Sequence, residues 1–238
     1  MTHTRISLSS IDTDPITVDT DCLVIGVSHA ADLPDWARSL DDATGGRLQR
    51  LLDAGELPNA AGGSLMLHEP EGLSARRLLI VGTGKPGKWS EHAYAAVSRA
   101  AGKALRASRA RSAHCLLPLL DVPGRDARWT TFQAAIGMDH GDYVYTATKT
   151  PRNEDAPPTE SVSLPAIDGA DAVLDRADAI NAGVRTARDL ADLPPNICTP
   201  AYLAERATQL AEEIDGLEVE VLEEDAMTEL GMNALMAV

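Results

Sequence analysis

Arg77-Leu-Leu-Ile-Val-Gly-Thr-Gly-Lys-Pro-Gly87 passes from an unbroken apolar run into a glycine-rich turn, and the residues on either side of it decide the fold. The run has the length and composition of a strand buried on both faces. Beyond the turn, Ser90 can cap a helix in which Val97, Ala101, Ala104 and Leu105 share one face while Arg99, Lys103 and Arg106 share the opposite one. A second apolar run, His114-Cys-Leu-Leu-Pro-Leu-Leu120, follows, and Asp21-Cys-Leu-Val-Ile-Gly-Val27 repeats the character upstream. Strand, helix, strand in this order predicts a parallel crossover and an α/β domain.

Working outward, Ser39 to Ala54 reads as a helix that Gly45-Gly46 either interrupts or splits into a turn and a shorter helix. Asp142-Tyr-Val-Tyr-Thr-Ala-Thr148 is β-prone, Pro151-Arg-Asn-Glu-Asp-Ala-Pro-Pro158 is a surface loop, and Ser161 to Leu164 is a last strand. Val173, Ala177, Ile180, Val184, Ala187 and Ala191 then recur at helical spacing up to Pro194-Pro195. Thr199 and Pro200 open another helix with Leu203, Ala207, Leu210 and Ile214 as its buried stripe, ended by Gly216. Leu217-Glu-Val-Glu-Val-Leu222 alternates like a strand, Glu224 to Leu230 is a short helix stopped by Gly231, and Ala234 to Val238 reads as another strand. The segment from Pro194 onward is too short to bury an α/β core of its own, which predicts a second domain represented only by its start.

Composition sets outer limits. The 238 residues are 44% hydrophobic and 24% charged, with only 3% aromatic, so the core is built from Ala, Leu, Val and Ile. A net charge of −15 and a pI near 4.7 oppose non-specific attraction to nucleic acid or an anionic membrane. No stretch approaches the roughly 20 apolar residues that span a bilayer, and Met1 to Ser10 lacks an apolar signal-peptide centre, so a cytoplasmic protein is expected. Cys22, Cys115 and Cys198 are odd in number and far apart, and are expected as buried thiols.

Several patterns invite a sharper reading. Gly82-Thr-Gly-Lys-Pro-Gly87 matches the G-x-G-x-x-G of dinucleotide sites, but no Asp or Glu lies between His92 and Leu120 to hold a ribose, and Pro86 removes a backbone donor. An ordinary strand-to-helix turn is the expectation. Arg99, Lys103, Arg106 and Arg109 form a basic stripe expected to be a solvated helix face. Asp139, His140 and Asp142 pair an imidazole with carboxylates but sit beside Gly137 and Gly141, as a loop would. His29 and His114 lack a placed third partner. Glu218, Glu220, Glu223, Glu224 and Asp225 read as the wet side of a strand and a helix start, without calcium-loop spacing.

Ala187-Arg-Asp-Leu-Ala-Asp-Leu-Pro-Pro-Asn-Ile-Cys-Thr-Pro-Ala-Tyr-Leu-Ala204, followed by Gly231-Met-Asn-Ala-Leu-Met-Ala-Val238, resembles the segment joining the two domains of M17 leucyl aminopeptidases. Leu40-Asp-Asp-Ala-Thr-Gly-Gly46, Leu79-Ile-Val-Gly-Thr-Gly-Lys85 and Tyr143-Val-Tyr-Thr-Ala-Thr-Lys149 are similar to more variable stretches of that family's amino-terminal domain. Asp192 stands where the family usually has Asn, and Asn233 where Gly is common. The resemblance implies a macro-domain-like mixed sheet flanked by helices over 1–168, a linker helix over 169–193, and the truncated start of a second α/β domain over 194–238.

The resemblance further implies a parent enzyme that uses two divalent ions, Mn or Zn, to release amino-terminal residues from peptides, and that forms a homo-hexamer. The family's Gly-rich lysine segment and its two carboxylate segments lie downstream of anything in this sequence. No catalytic, metal-binding or cofactor-binding residue is therefore assigned here, and the segment is expected to serve structure and assembly and to be inactive alone. The rival reading is a stand-alone macro-like module that binds a nucleotide or ADP-ribose.

Overall fold

The computed structural model describes residues 5–28, 33–85, 89–150 and 156–237. His29, Pro86, Gly87 and the first five residues of the proline-rich loop lie outside them. Contacts divide the chain into two compact units, 1–188 and 189–238. The division falls inside the long helix expected to join the domains.

The first unit is a six-stranded mixed sheet in the order β1 (Ser7–Ile11), β6 (Ser161–Pro165), β5 (Ser112–Cys115), β2 (Cys22–Val27), β4 (Arg77–Gly82), β3 (Ser64–His68). Only β3 runs antiparallel. The central β2 is buried at every position, as its unbroken apolar sequence requires. The crossover from β4 to β5 passes over β2, which pairs with both strands. β5 is shorter than the apolar run around it, because Pro118 has no N–H for a ladder and Leu117–Leu119 turns into a 3-10 segment.

One face of the sheet carries α1 (Asp35–Ala43) and α2 (Arg47–Asp53), separated at Gly45-Gly46, both at positive φ. Leu23, Ile25, Leu78 and Ile80 point to them and to Leu40, Leu48 and Leu52. The other face carries α3 (Glu91–Ala107), α4 (Ala127–Asp142) and α5 (Ala170–Asp192) over Cys22, Val24, Leu79, Val81, Val162 and Leu164. α3 is capped by Ser90, whose hydroxyl accepts from the Ala93 N–H at 3.3 Å, and α4 likewise by Asp126, which accepts from Trp129 N–H at 2.9 Å.

α3 and α4 pack at backbone distance. A Cβ on Gly102 would overlap the Met138 carbonyl, one on Gly137 the Ser98 side chain, and one on Gly141 the Arg99 carbonyl. Gly137 and Gly141 are thus interhelix contacts rather than turn residues, which is why α4 runs on through Asp139-His140-Gly141-Asp142 where the sequence suggests a loop. The β-prone Tyr143–Thr148 leaves this helix as coil and turn without a strand partner. Tyr94 fills the other end of the α3–α4 seam: its hydroxyl donates to the Thr130 carbonyl at 2.9 Å, and its ring meets Trp89 and Trp129 at 5.8 and 5.5 Å.

The second unit contains α6 (Pro200–Glu213), α7 (Glu224–Glu229) and α8 (Asn233–Met236). Thr199 caps α6 as expected, its hydroxyl accepting from Tyr202 N–H at 3.2 Å, with Pro200 in the first turn. The stripe expected to be buried is not: Leu203 is 45% and Ile214 50% exposed. Leu217 to Leu222 is extended coil rather than a strand, and Asn233–Met236 is a helical turn where Ala234–Val238 reads as one. A strand is stabilised by its neighbours, and among the described residues neither segment has one.

The seam between α3 and α4 yields a paired test by urea denaturation. Gly141→Ala should lower stability by about 1–3 kcal/mol through overpacking against fixed backbone. Gly183→Ala, in α5 where an added Cβ meets nothing within 4 Å, should raise stability by about 0.5–1 kcal/mol.

Candidate functional site

The densest set of charged side chains inside the first unit lies where α3, α4 and α5 converge. Asp139 and Asp142, one turn apart on α4, are each 1% exposed. Arg185 of α5, 6% exposed, donates from Nε to Asp139 Oδ2 at 2.8 Å and from Nη2 to Asp139 Oδ1 at 2.7 Å. The same Nη2 lies 3.8 Å from Asp142 Oδ2. Arg106 of α3 donates to that carboxylate oxygen at 3.3 Å and to the Asp142 carbonyl at 3.0 Å, and Thr159 N–H donates to Oδ1 at 3.1 Å. Arg188 closes the edge, donating to the His140 carbonyl at 3.1 Å and lying 3.8 Å over the Tyr143 ring.

This arrangement balances charge and directs it. The fork of Arg185 on Asp139 is bidentate, a geometry that fixes orientation as well as distance. Breaking such a buried pair from one side costs about 3–5 kcal/mol, because it strands a charge out of water. Both carboxylates are occupied by guanidinium or backbone donors, which leaves neither placed as a general base or metal ligand. Among the described residues, no three His, Cys, Asp or Glu side chains converge as ligands for a metal ion. Among the described residues, this cluster therefore does not fit a dinuclear metal centre.

The motifs singled out from sequence disperse. Gly82 is required by packing: a Cβ there would overlap the carbonyls of Pro58 and Ala60, and its own N–H and C=O pair with Gly63 and Gly62 at 2.8 and 2.9 Å. At the carboxyl ends of the strands, where open α/β sheets hold ligands, Leu117 and Leu120 press on Gly26, and Trp89 Nε1 donates to the Asp121 carbonyl at 2.8 Å. Arg99, Lys103 and Arg109 are exposed, but Arg106 is not part of a solvated face, since its guanidinium turns in to Asp142. An open depression of about 470 Å³ beside α2, lined in part by Arg47, Arg50, Glu56 and Glu71, mixes both charge signs.

The isolated titratable groups are governed by burial. Cys22 and Cys115 are fully buried and their thiols are pushed up to about 12 by desolvation, whereas Cys198, expected to be buried, is half-exposed. His140 is half-buried, and desolvation lowers its value below the ordinary one. His114, 1% exposed, has Nδ1 2.9 Å from Ser163 Oγ, which itself donates to the Ala113 carbonyl at 3.3 Å. Among the described residues no acid partner compensates its desolvation, and burial lowers it to about 4.

Arg185 and Arg188 were not candidates in the sequence. The signal available was a pair of arginines, each one position after a residue of the apolar helical stripe, and two acids spaced about one turn apart in Asp139 and Asp142.

Comparison with known proteins places the fold. The family model of the cytosol aminopeptidase amino-terminal domain matches residues 24–152, and that of the catalytic domain of the same family matches residues 185–238. A protein of Stenotrophomonas maltophilia named "Probable cytosol aminopeptidase" is 42% identical over 219 residues, which are 92% of this chain and 44% of that protein. The cytosol aminopeptidase of Haemophilus influenzae is 36% identical over 92% of this chain and 45% of its own length. Among solved structures, a mutant of tomato leucine aminopeptidase superposes with a TM-score of 0.79 at 23% identity, covering 97% of this chain and 47% of that one. The bottromycin maturation enzyme BotP gives 0.69 at 24%, covering 92% and 43%. The chain spans a little under half the length of the relatives it matches.

Burial of His114 sets a pH dependence. Its folded value of about 4 lies below the unfolded 6.5, so between these values the unfolded chain holds a proton that the folded chain does not. The contribution is complete above pH 6.5 and is lost as pH falls toward 4. Urea unfolding should show up to about 2 kcal/mol less stability at pH 5 than at pH 7 from this group. His114→Leu should remove that difference.

Proposed function

Since this chain belongs to the cytosol aminopeptidase family, we propose that it is the amino-terminal domain and the first part of the catalytic domain of a metal-dependent aminopeptidase. The whole protein would release amino-terminal residues from peptides. The carrying observation is that both family models match in their family order, over residues 24–152 and 185–238. Domain limits of 1–168, 169–193 and 194–238 belong to this proposal.

In the proposal the chemistry resides in the part of the catalytic domain beyond the matched stretch. Two divalent ions, Mn or Zn, would there polarise the attacking water and receive the substrate amine. A relative of similar fold, BotP, is known in complex with Mn. The residues of the present chain derive no step of that reaction. Their work is to build a sheet and a three-helix layer and to hold α5 as the element that leads into the catalytic domain. The hexameric assembly implied by the family is likewise part of the proposal. A cytosolic location rests on the names of the relatives, and no described helix is long and apolar enough to cross a membrane.

The reading as a stand-alone macro-like binding module is not favoured. It leaves the catalytic-domain match at 185–238 without a role, and Gly82, which opens the glycine run it would use, has a packing cause.

Incubation of the 238-residue chain with Mn²⁺ or Zn²⁺ and leucine p-nitroanilide should give no turnover above the metal-only blank. Metal-dependent hydrolysis that co-purifies with the chain would place the active site within it and sink the proposal. Calorimetry with ADP-ribose should show no saturable heat; a saturable isotherm would revive the binding-module reading.

A further inference from the structure

The inward side of α5 is not its most apolar side. Leu174, Ala177, Asn181 and Arg185 are buried. Ile180 is 37% exposed, Ala187 and Ala191 are exposed, and Val173 and Val184 are half-buried. The sequence offers Val173, Ala177, Ile180, Val184, Ala187 and Ala191 as a continuous stripe for the core. Ala177 is common to both faces, whereas the other buried positions, Leu174, Asn181 and Arg185, each lie one residue after Val173, Ile180 and Val184, so the buried face is displaced by somewhat less than the roughly 100° between successive residues.

That choice runs against hydrophobic burial. It withdraws an amide and a guanidinium from water and leaves Ile180 and two alanines in it. Asn181 Oδ1 is buried with no hydrogen-bond partner among the described residues. Leu174 and Ala177 join the core, but apolar area alone does not favour Asn181 and Arg185 over Ile180 and Val184, and one contact on the inward face is directional enough to do so. Arg185 meets Asp139 through two parallel bonds from Nε and Nη2, which a rotated helix could not make. Asp139 is itself held on an α4 whose glycines lock against α3.

We propose that the buried Arg185–Asp139 pair is a polar register lock: it fixes the rotation of α5 about its own axis and keeps the helix from turning its apolar stripe into the core. Arg185 is also the first residue matched by the catalytic-domain model, so the lock sits in the linker helix where that match begins. In this proposal its role is positional, since a buried pair of this kind adds little net stability over apolar packing. The lock acts on α5 alone, whatever reaction the whole protein performs.

Thiol labelling reads the rotation directly. Cys22 and Cys115 are buried and their raised thiols are inert, so a Cys198→Ser background carries single reporters at Ile180→Cys and Asn181→Cys. In the native helix the reporter at 180 should label faster than the one at 181 by about tenfold or more. The double variant Asp139→Leu/Arg185→Leu removes the lock without leaving either charge unpaired, while Asp142 keeps Arg106 and the Thr159 N–H. It should remain folded by circular dichroism, and the labelling order should equalise or reverse. A folded double variant that keeps the native order overturns the proposal.

Arg185→Lys tests the same point should the double variant not fold. Lysine keeps the charge but cannot make the fork. The ratio of labelling rates should fall towards unity, and a ratio equal to that of the native chain overturns the lock.

Discussion

Arg185 and Asp139 meet out of water on two hydrogen bonds, and the helical layer is organised around that meeting. A pair of this kind tolerates little misplacement, because a guanidinium or a carboxylate left alone in the interior is far more costly than the pair is favourable. The geometry of its surroundings follows. α4 must stay helical to Asp142, so that both carboxylates face the same seam. α3 must approach closely enough for Arg106 to reach Asp142. The absence of side chains at Gly102, Gly137 and Gly141 allows that approach, and Tyr94 closes the far end of the seam by reaching the Thr130 carbonyl. The strand β6 is tied in through the Thr159 N–H just upstream of it.

On the proposed function, the same pairing suits a layer that contributes architecture rather than chemistry. A carboxylate that is to hold a metal or take a proton needs a free lone pair facing substrate or solvent. Asp139 and Asp142 point theirs at arginines and a backbone amide. His114 is neutral near pH 7 and sits in the sheet against a serine without an acid behind it. In a family whose members cleave peptides, a domain of this composition is consistent with support for a reaction centre built elsewhere.

How far the sequence discloses this depends on what kind of force decides each element. Strands β2 and β4, made of consecutive apolar residues, are legible because burial on both faces leaves no choice of side. Ser90, Thr199 and Pro200 are legible because a cap is a local hydrogen bond. The separation of α1 from α2 at Gly45-Gly46 is legible for the same reason, since only glycine accepts two successive positive φ values at small cost. Asp139-His140-Gly141-Asp142 misleads because Gly141, like Gly137 just before the stretch, answers to a helix more than thirty residues away in sequence. α5 misleads more deeply. Its periodicity identifies a helix correctly, but hydrophobic pattern assigns the inward face by area alone, and one forked ion pair outweighs it. The candidate site was thus visible as two acids and invisible as a site, because its arginines arrive from distant helices.

The second unit shows the complementary case, in which local signals are satisfied and packing is not. Thr199 caps α6, and Gly216 and Gly231 adopt the left-handed backbone that ends helical segments. Yet Leu203, Ile214, Leu217, Val219, Val221, Leu230 and Leu235 are all exposed. Capping and propensity are local and can be met by 50 residues, whereas a strand needs a neighbour and an amphipathic helix needs a surface to bury its stripe. The residues expected as strands therefore adopt coil and a helical turn, although their sequences alternate or are apolar. On the proposed function, the surface they lack belongs to the remainder of the catalytic domain, and pairing there would turn Val219 and Val221 from exposed residues into core.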